Sequence, residues 1–141
     1  MSGFLMDTNV LSEAVRTKPE PQVLDWIGAA DETLLYLSVL TLGEVRKGLA
    51  LLPQGKRRTR IEGWIEVEVQ SRFAGRILTV TSAVADRWGL LAAEAKKKGR
   101  GLATIDGLLA ATALEHNLTI VTRNVRDFRD THALLLNPWG S

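Results

Sequence analysis

Short apolar runs alternate with longer stretches of helical period along this chain. Phe4-Leu5-Met6 predicts a short buried strand, the run 34–39 a second, and Ile77-Leu78-Thr79-Val80 a third, rich in β-branched residues. Leu118-Thr119-Ile120-Val121-Thr122 predicts a fourth strand, and Leu134-Leu135-Leu136 a last one at an edge. Between them, Val84, Trp88, Leu91, Ala92 and Ala95 recur at helical spacing and form one apolar stripe. Ile61, Trp64, Ile65 and Val69 form another, and Val23, Trp26 and Ile27 mark a short helix after Pro21. Residues 108–115 are strong helix formers, with Asn117 suited to a left-handed cap behind His116. Two successive helices, roughly 41–52 and 56–73, break the alternation and predict an inserted helical hairpin. The fold class expected is α/β: a mainly parallel central sheet of about five strands flanked by helices.

Ligands of open α/β sheets lie at the carboxyl ends of the strands. After the first strand comes Asp7-Thr8-Asn9, and after the second Thr41-Leu42-Gly43-Glu44. Asp106 opens the helix 107–115, and the fourth strand is followed by Arg123-Asn124, with Asp127 close behind. Singly, each of these reads as a cap. Asp7 or Asn9 suits a helix starting at Val10, Thr41 and Glu44 match the S/T-x-x-E capping box, and Asp106 suits a first turn. Together they change the picture. Parallel strands bring these termini to one sheet edge, where gathered carboxylates repel one another and their pKa values rise unless a cation joins them. Asp and Glu without His or Cys point to Mg²⁺ or Mn²⁺ rather than zinc. Such a site suits metal-assisted hydrolysis of a phosphodiester.

Composition narrows the classes further. The 141 residues are 45% hydrophobic and 24% charged, as expected of one folded domain spanning 1–141. With no cysteine, disulfides and thiolate metal sites are excluded. No apolar stretch approaches the roughly 20 residues of a membrane span. Asp7 interrupts the N-terminal apolar run, which argues against a signal peptide, and the expected location is the cytoplasm with no membrane association. His116 and His132 stand in no metal-ligand spacing, and no P-loop or Gly-rich dinucleotide fingerprint is present. A phosphoacceptor domain would want a paired acid beside the first strand and a late lysine, neither of which appears. Asn9 at the second position after Asp7 excludes an Asp-x-Asp phosphotransferase.

The residues around these acids carry a family resemblance. Leu5-Met6-Asp7-Thr8-Asn9-Val10-Leu11-Ser12-Glu13 resembles the opening motif of the PIN-domain ribonucleases, and Ser38-Val39-Leu40-Thr41-Leu42-Gly43-Glu44-Val45-Arg46-Lys47-Gly48 their second, with its acidic residue at Glu44. Asp106-Gly107-Leu108-Leu109-Ala110-Ala111-Thr112-Ala113 resembles the third, the segment 118–128 the fourth, and Asn137-Pro138-Trp139 the usual ending. The blocks follow the family's order over almost the whole chain. They are most similar to VapC-type toxins of bacterial toxin–antitoxin pairs, and Phe73-Ala74-Gly75-Arg76-Ile77-Leu78 fits the FitB-like branch. The resemblance implies an endoribonuclease using Mg²⁺ or Mn²⁺, with Asp7 and Asp106 as metal ligands and Glu44 binding directly or through water. At the fourth acidic position, where that branch often has Asp, this chain has Asn124; Asp127 either takes its place or caps the segment after it. One metal is therefore expected, or a second that arrives with the RNA. Thr8, Asn9 and Thr122 either hydrogen-bond ligands and waters or act as ordinary caps. The resemblance further implies an RNA substrate, a homodimer, and a cognate VapB- or FitA-like antitoxin through which alone operator DNA is reached. Asn124 keeps open the alternative of a non-catalytic RNA-binding or regulatory module.

The net charge is only +2, so the basic runs matter more than the total. Lys96-Lys97-Lys98 suits a helix C-terminus. Lys56-Arg57-Arg58 instead opens a helix, where the dipole disfavours it, and is a candidate for RNA phosphate. Arg46 and Lys47 are further RNA-backbone candidates because they follow Glu44 closely.

Overall fold

The computed structural model describes residues 2–140. Five strands pair in parallel in the order β3-β2-β1-β4-β5, where β1 is Phe4–Met6, β2 Leu35–Ser38, β3 Ile77–Leu78, β4 Thr119–Val121 and β5 Leu135–Leu136. All five predicted strands form, each trimmed to the residues that the ladder pairs, and β5 lies at the edge as expected.

Between β1 and β2 lie α1 (Thr8–Ser12), running on into a 3-10 turn, and α2 (Pro21–Ala29). Proline fits the first turn of α2, where its missing N–H is no loss. The hairpin between β2 and β3 consists of α3 (Val39–Leu51) and α4 (Lys56–Gly63), a π turn at Trp64–Glu68, and α5 (Val69–Arg72). The second half carries α6 (Ser82–Lys97), α7 (Thr104–Glu115) and α8 (Val125–Phe128). At the end of α7, Asn117 takes φ 54°, and Leu118 N–H reaches back to the Ala113 carbonyl. This is the left-handed closure expected of that asparagine.

Alternation along each strand builds two apolar layers. Phe4, Met6, Leu35, Leu37, Val121 and Leu136 face the layer packed by the first-half helices. Leu5, Tyr36, Ile120 and Leu135 face the layer packed by α6, α7 and α8. Both sheet faces are therefore covered, as a parallel sheet requires. The chain moves from β1 toward β3 on one side, then crosses back to β4 and β5 on the other. The reversal leaves a crevice above the carboxyl ends of β1 and β4. Among the described residues, no helix is long and apolar enough to cross a membrane.

Candidate active site

Asp7 stands at that crevice and is only 7% exposed. Its N–H donates to the Val121 carbonyl at 2.9 Å, extending the β1–β4 ladder, while its own carbonyl accepts from Val10 and Leu11. The residue thus ends a strand and starts α1, which begins at Thr8 rather than at Val10. One carboxylate oxygen accepts from Thr8 N–H at 2.8 Å. The other accepts from the Thr122 hydroxyl at 2.8 Å and the Asn9 amide at 3.3 Å. Thr122 is fully buried, and its oxygen also accepts Asn124 N–H at 3.0 Å. Asn9 in turn accepts Arg123 N–H at 3.2 Å. The tripeptides 7–9 and 122–124 are therefore laced together, which gives Thr8, Asn9 and Thr122 the task of aiming acidic groups.

Glu44 arrives from α3. The capping-box expectation at Thr41 and Glu44 fails, because β2 runs directly into the helix and Ser38 caps it through Leu40 N–H at 3.0 Å. Thr41 is buried within α3, and Glu44 is free to accept the Thr8 hydroxyl at 2.6 Å. Asp106 arrives from α7, which starts at Thr104, so Asp106 lies inside the first turn instead of opening the helix. Gly107 allows the close approach of α6: a methyl group there would meet the Trp88 ring at 2.8 Å.

Electrostatics ties the four segments together. Burial, then the charges of Asp7, Asp127 and Glu44, push the half-buried Asp106 carboxyl up to about 6. Burial also raises Asp7, the bonds from Thr122, Thr8 and Asn9 pull it back, and Glu44 pushes it up again. Among the described residues, no three His, Cys, Asp or Glu side chains stand close enough together to hold a metal ion by themselves. The donors are instead an open set of hard oxygens under mutual repulsion. That fits an ion such as Mg²⁺, which keeps several waters and is held by one or two carboxylates plus a substrate phosphate.

The remaining predicted residues divide. Asn124 precedes α8 and is exposed, with its side chain making no capping bond. Asp127 lies within α8, so it caps nothing after it, and its charge reaches Asp106. Arg46, on α3, pairs across the hairpin with Glu66 at 2.6 Å and Glu62 at 3.7 Å. Arg58 sits 3.8 Å from Glu62 and donates to the Leu52 carbonyl. Lys47, Lys56 and Arg57 are exposed. Of the acid in the opening motif, Glu13 is 2% exposed and separate from this group. Against the pull of burial, Arg16 and the Glu20 N–H hold its carboxyl below the usual range. Arg123 carries its guanidinium over the Trp139 ring, 5.4 Å from the centroid.

Known proteins resemble this chain in sequence and in fold. VapC ribonuclease Y4jK of Sinorhizobium fredii is 39% identical over 136 residues, covering 96% of this chain and 97% of that protein. Toxin FitB of Neisseria gonorrhoeae is 38% identical over 136 residues, covering 96% and 98%. The solved structure of FitAB bound to a DNA fragment superposes with a TM-score of 0.92 at 36% identity, covering 98% of this chain and 96% of that one. The PIN domain model matches residues 4–134, a span that holds Asp7, Glu44, Asp106 and both sides of the crevice. By that match and those identities, the chain belongs to the PIN-domain family.

Proposed function

We propose that this chain is a metal-dependent endoribonuclease, the toxin of a type II toxin–antitoxin pair, working as a single domain in the bacterial cytoplasm. The observation that carries the reading is the convergence of Asp7 and Glu44, joined through Thr8, beside the half-buried Asp106; burial first, and then the charges of Asp7, Asp127 and Glu44, raise the Asp106 carboxyl to about 6. Acids held in mutual repulsion by a fixed hydrogen-bond lattice are a preorganised cation seat. Asp7 and Asp106 would hold Mg²⁺ or Mn²⁺, Glu44 would add a direct or water-mediated ligand, and Asp127 would supply the carboxylate that Asn124 lacks. When bound, the ion neutralises phosphate charge and lowers the pKa of the attacking water.

The chain's own groups do the aiming. Thr122, Thr8 and Asn9 lock the Asp7 carboxylate in one orientation, and the Thr8 hydroxyl holds Glu44. The names of the relatives support the reading, since Y4jK is called a ribonuclease and FitB a toxin. The FitAB complex bound to a DNA fragment supports a partner protein and DNA binding by the pair. A guanidinium from such a partner would pair with these carboxylates and compete with the ion. Homodimerisation is part of the same proposal.

The test is cleavage of RNA by the purified protein with Mg²⁺. Loss of cutting on chelation, and in Asp7→Asn and Asp106→Asn, supports the proposal. The second reading, a binding-only module, is favoured by the neutral Asn124. It predicts RNA retention that is unchanged in both variants, with no cutting by the wild type.

A further inference from the structure

A cavity of about 260 Å³ opens beside the candidate active site, lined in part by Arg100, Leu102, Asp106, Arg126, Asp127 and Asp130. Asp106 and Asp127 belong to both places: they wall the cavity, and their charges meet in the acidic group. The cleft is therefore continuous with the acidic group. Its other walls carry two guanidiniums. Arg100 follows the left-handed Gly99 that closes α6, and it is tied to Asp130 at 2.5 Å. Arg126, in α8, is exposed and forms no ion pair among the described residues.

Two of the basic residues expected at the RNA backbone, Arg46 and Arg58, are engaged by Glu62, Glu66 and the Leu52 carbonyl within the hairpin. Neither side chain lines the cavity that adjoins the acids. Arg126 is the open guanidinium beside Asp106 and Asp127, and its planar fork matches a phosphate. Arg100 keeps further N–H donors after meeting Asp130, since guanidinium has five.

Resting on the nuclease reading above, we propose that this cleft seats the RNA phosphate adjoining the one at the carboxylates, with Arg126 and Arg100 as its binding residues. Two guanidiniums against three aspartates leave the bare cleft acidic. The strand therefore enters with the divalent ion that balances Asp106 and Asp127. Asp130 acts as a brake, because it occupies part of Arg100.

The experiment is fluorescence anisotropy of a labelled, mixed-sequence, single-stranded oligoribonucleotide, with Ca²⁺ replacing Mg²⁺ so that the strand is held during the titration. Arg126→Gln and Arg100→Gln are each expected to weaken binding roughly tenfold, as loss of one charge-assisted phosphate contact would. Each should also flatten the dependence of log affinity on log salt by about 0.7. Asp130→Asn is expected to tighten binding. Circular dichroism establishes that each variant is folded. Unchanged affinity and salt slope in both arginine variants, with a wild type that binds and cuts RNA, overturns the cleft and spares the nuclease reading. A wild type that binds no RNA with either ion overturns both.

Discussion

The Thr122 hydroxyl donates to the Asp7 carboxylate at 2.8 Å, although 115 positions separate the two residues. The bond joins the end of β4 to the end of β1 at the point where strand order reverses. Asp7 is buried there, and the same hydroxyl oxygen also holds Asn124 N–H. One fully buried threonine thus orients an acid and anchors the start of α8.

Thr122→Val keeps the shape and removes the donor. Hydrogen bonds to charged groups contribute about 1.5–3 kcal/mol. The variant should lose stability of that order in chemical denaturation at neutral pH. It should also bind Mn²⁺ more weakly, because Asp7 is no longer held by Thr122.

The pH dependence follows from Asp106. Its carboxyl is raised from 3.8 to about 6 in the folded chain, so the folded state holds the proton more tightly than the unfolded one. The stabilisation is complete below 3.8 and is lost as pH climbs through about 6. Asp7 acts in the same sense. Metal-free Asp106→Asn should therefore melt above the metal-free wild type at neutral pH, with the advantage fading on the acid side. Melting curves of both proteins across this range check it, and Mg²⁺ should erase most of the wild type's deficit.

Arg76 tests the scaffold. Its guanidinium reaches the carbonyls of Glu32, Leu35 and Arg72 and the Glu32 carboxylate, and lies 5.1 Å from the Phe73 ring centroid. The side chain ties β3 and the end of α5 to the start of β2. Arg76→Lys loses the fork and leaves carbonyls unpaired, so a destabilisation of about 2 kcal/mol is expected in denaturant titration. Divalent-ion affinity should stay as in the wild type, since the cluster lies apart from the acids.

The fourth acidic position separates two variants. Asp127→Asn should lower Mn²⁺ affinity several-fold in calorimetry, while Asn124→Asp should raise it. If the reverse order were found, the carboxylate complement of the site would not include Asp127.

The strands and the acidic positions could be read from the chain because both depend on local pattern. Alternation in Leu35-Tyr36-Leu37 and Thr119-Ile120-Val121 sets which side chain faces which layer, and the parallel sheet brings their ends together. The start of α3 misled because Thr41 and Glu44 match a local cap, whereas β2 enters the helix without a loop and makes Ser38 the cap. Arg46 misled because its partners, Glu62 and Glu66, come from the other arm of the hairpin, and no local signal announces that pairing. The π turn at Trp64–Glu68 was hidden by a stripe that reads as continuous helix from Ile61 to Val69. Arg126 stood in view inside the fourth motif, but its value depends on the cleft that α6, α7 and α8 enclose.

The most direct measurement is calorimetric titration of Mn²⁺ into the metal-free wild type and its Asp7→Asn and Asp106→Asn variants, from mildly acidic to neutral pH. The account predicts saturable binding by the wild type that strengthens as pH rises through about 6 and levels off above it. It predicts that binding is lost in both variants while they remain folded. Equal Mn²⁺ affinity in all three proteins, or none in the wild type at neutral pH, would contradict it.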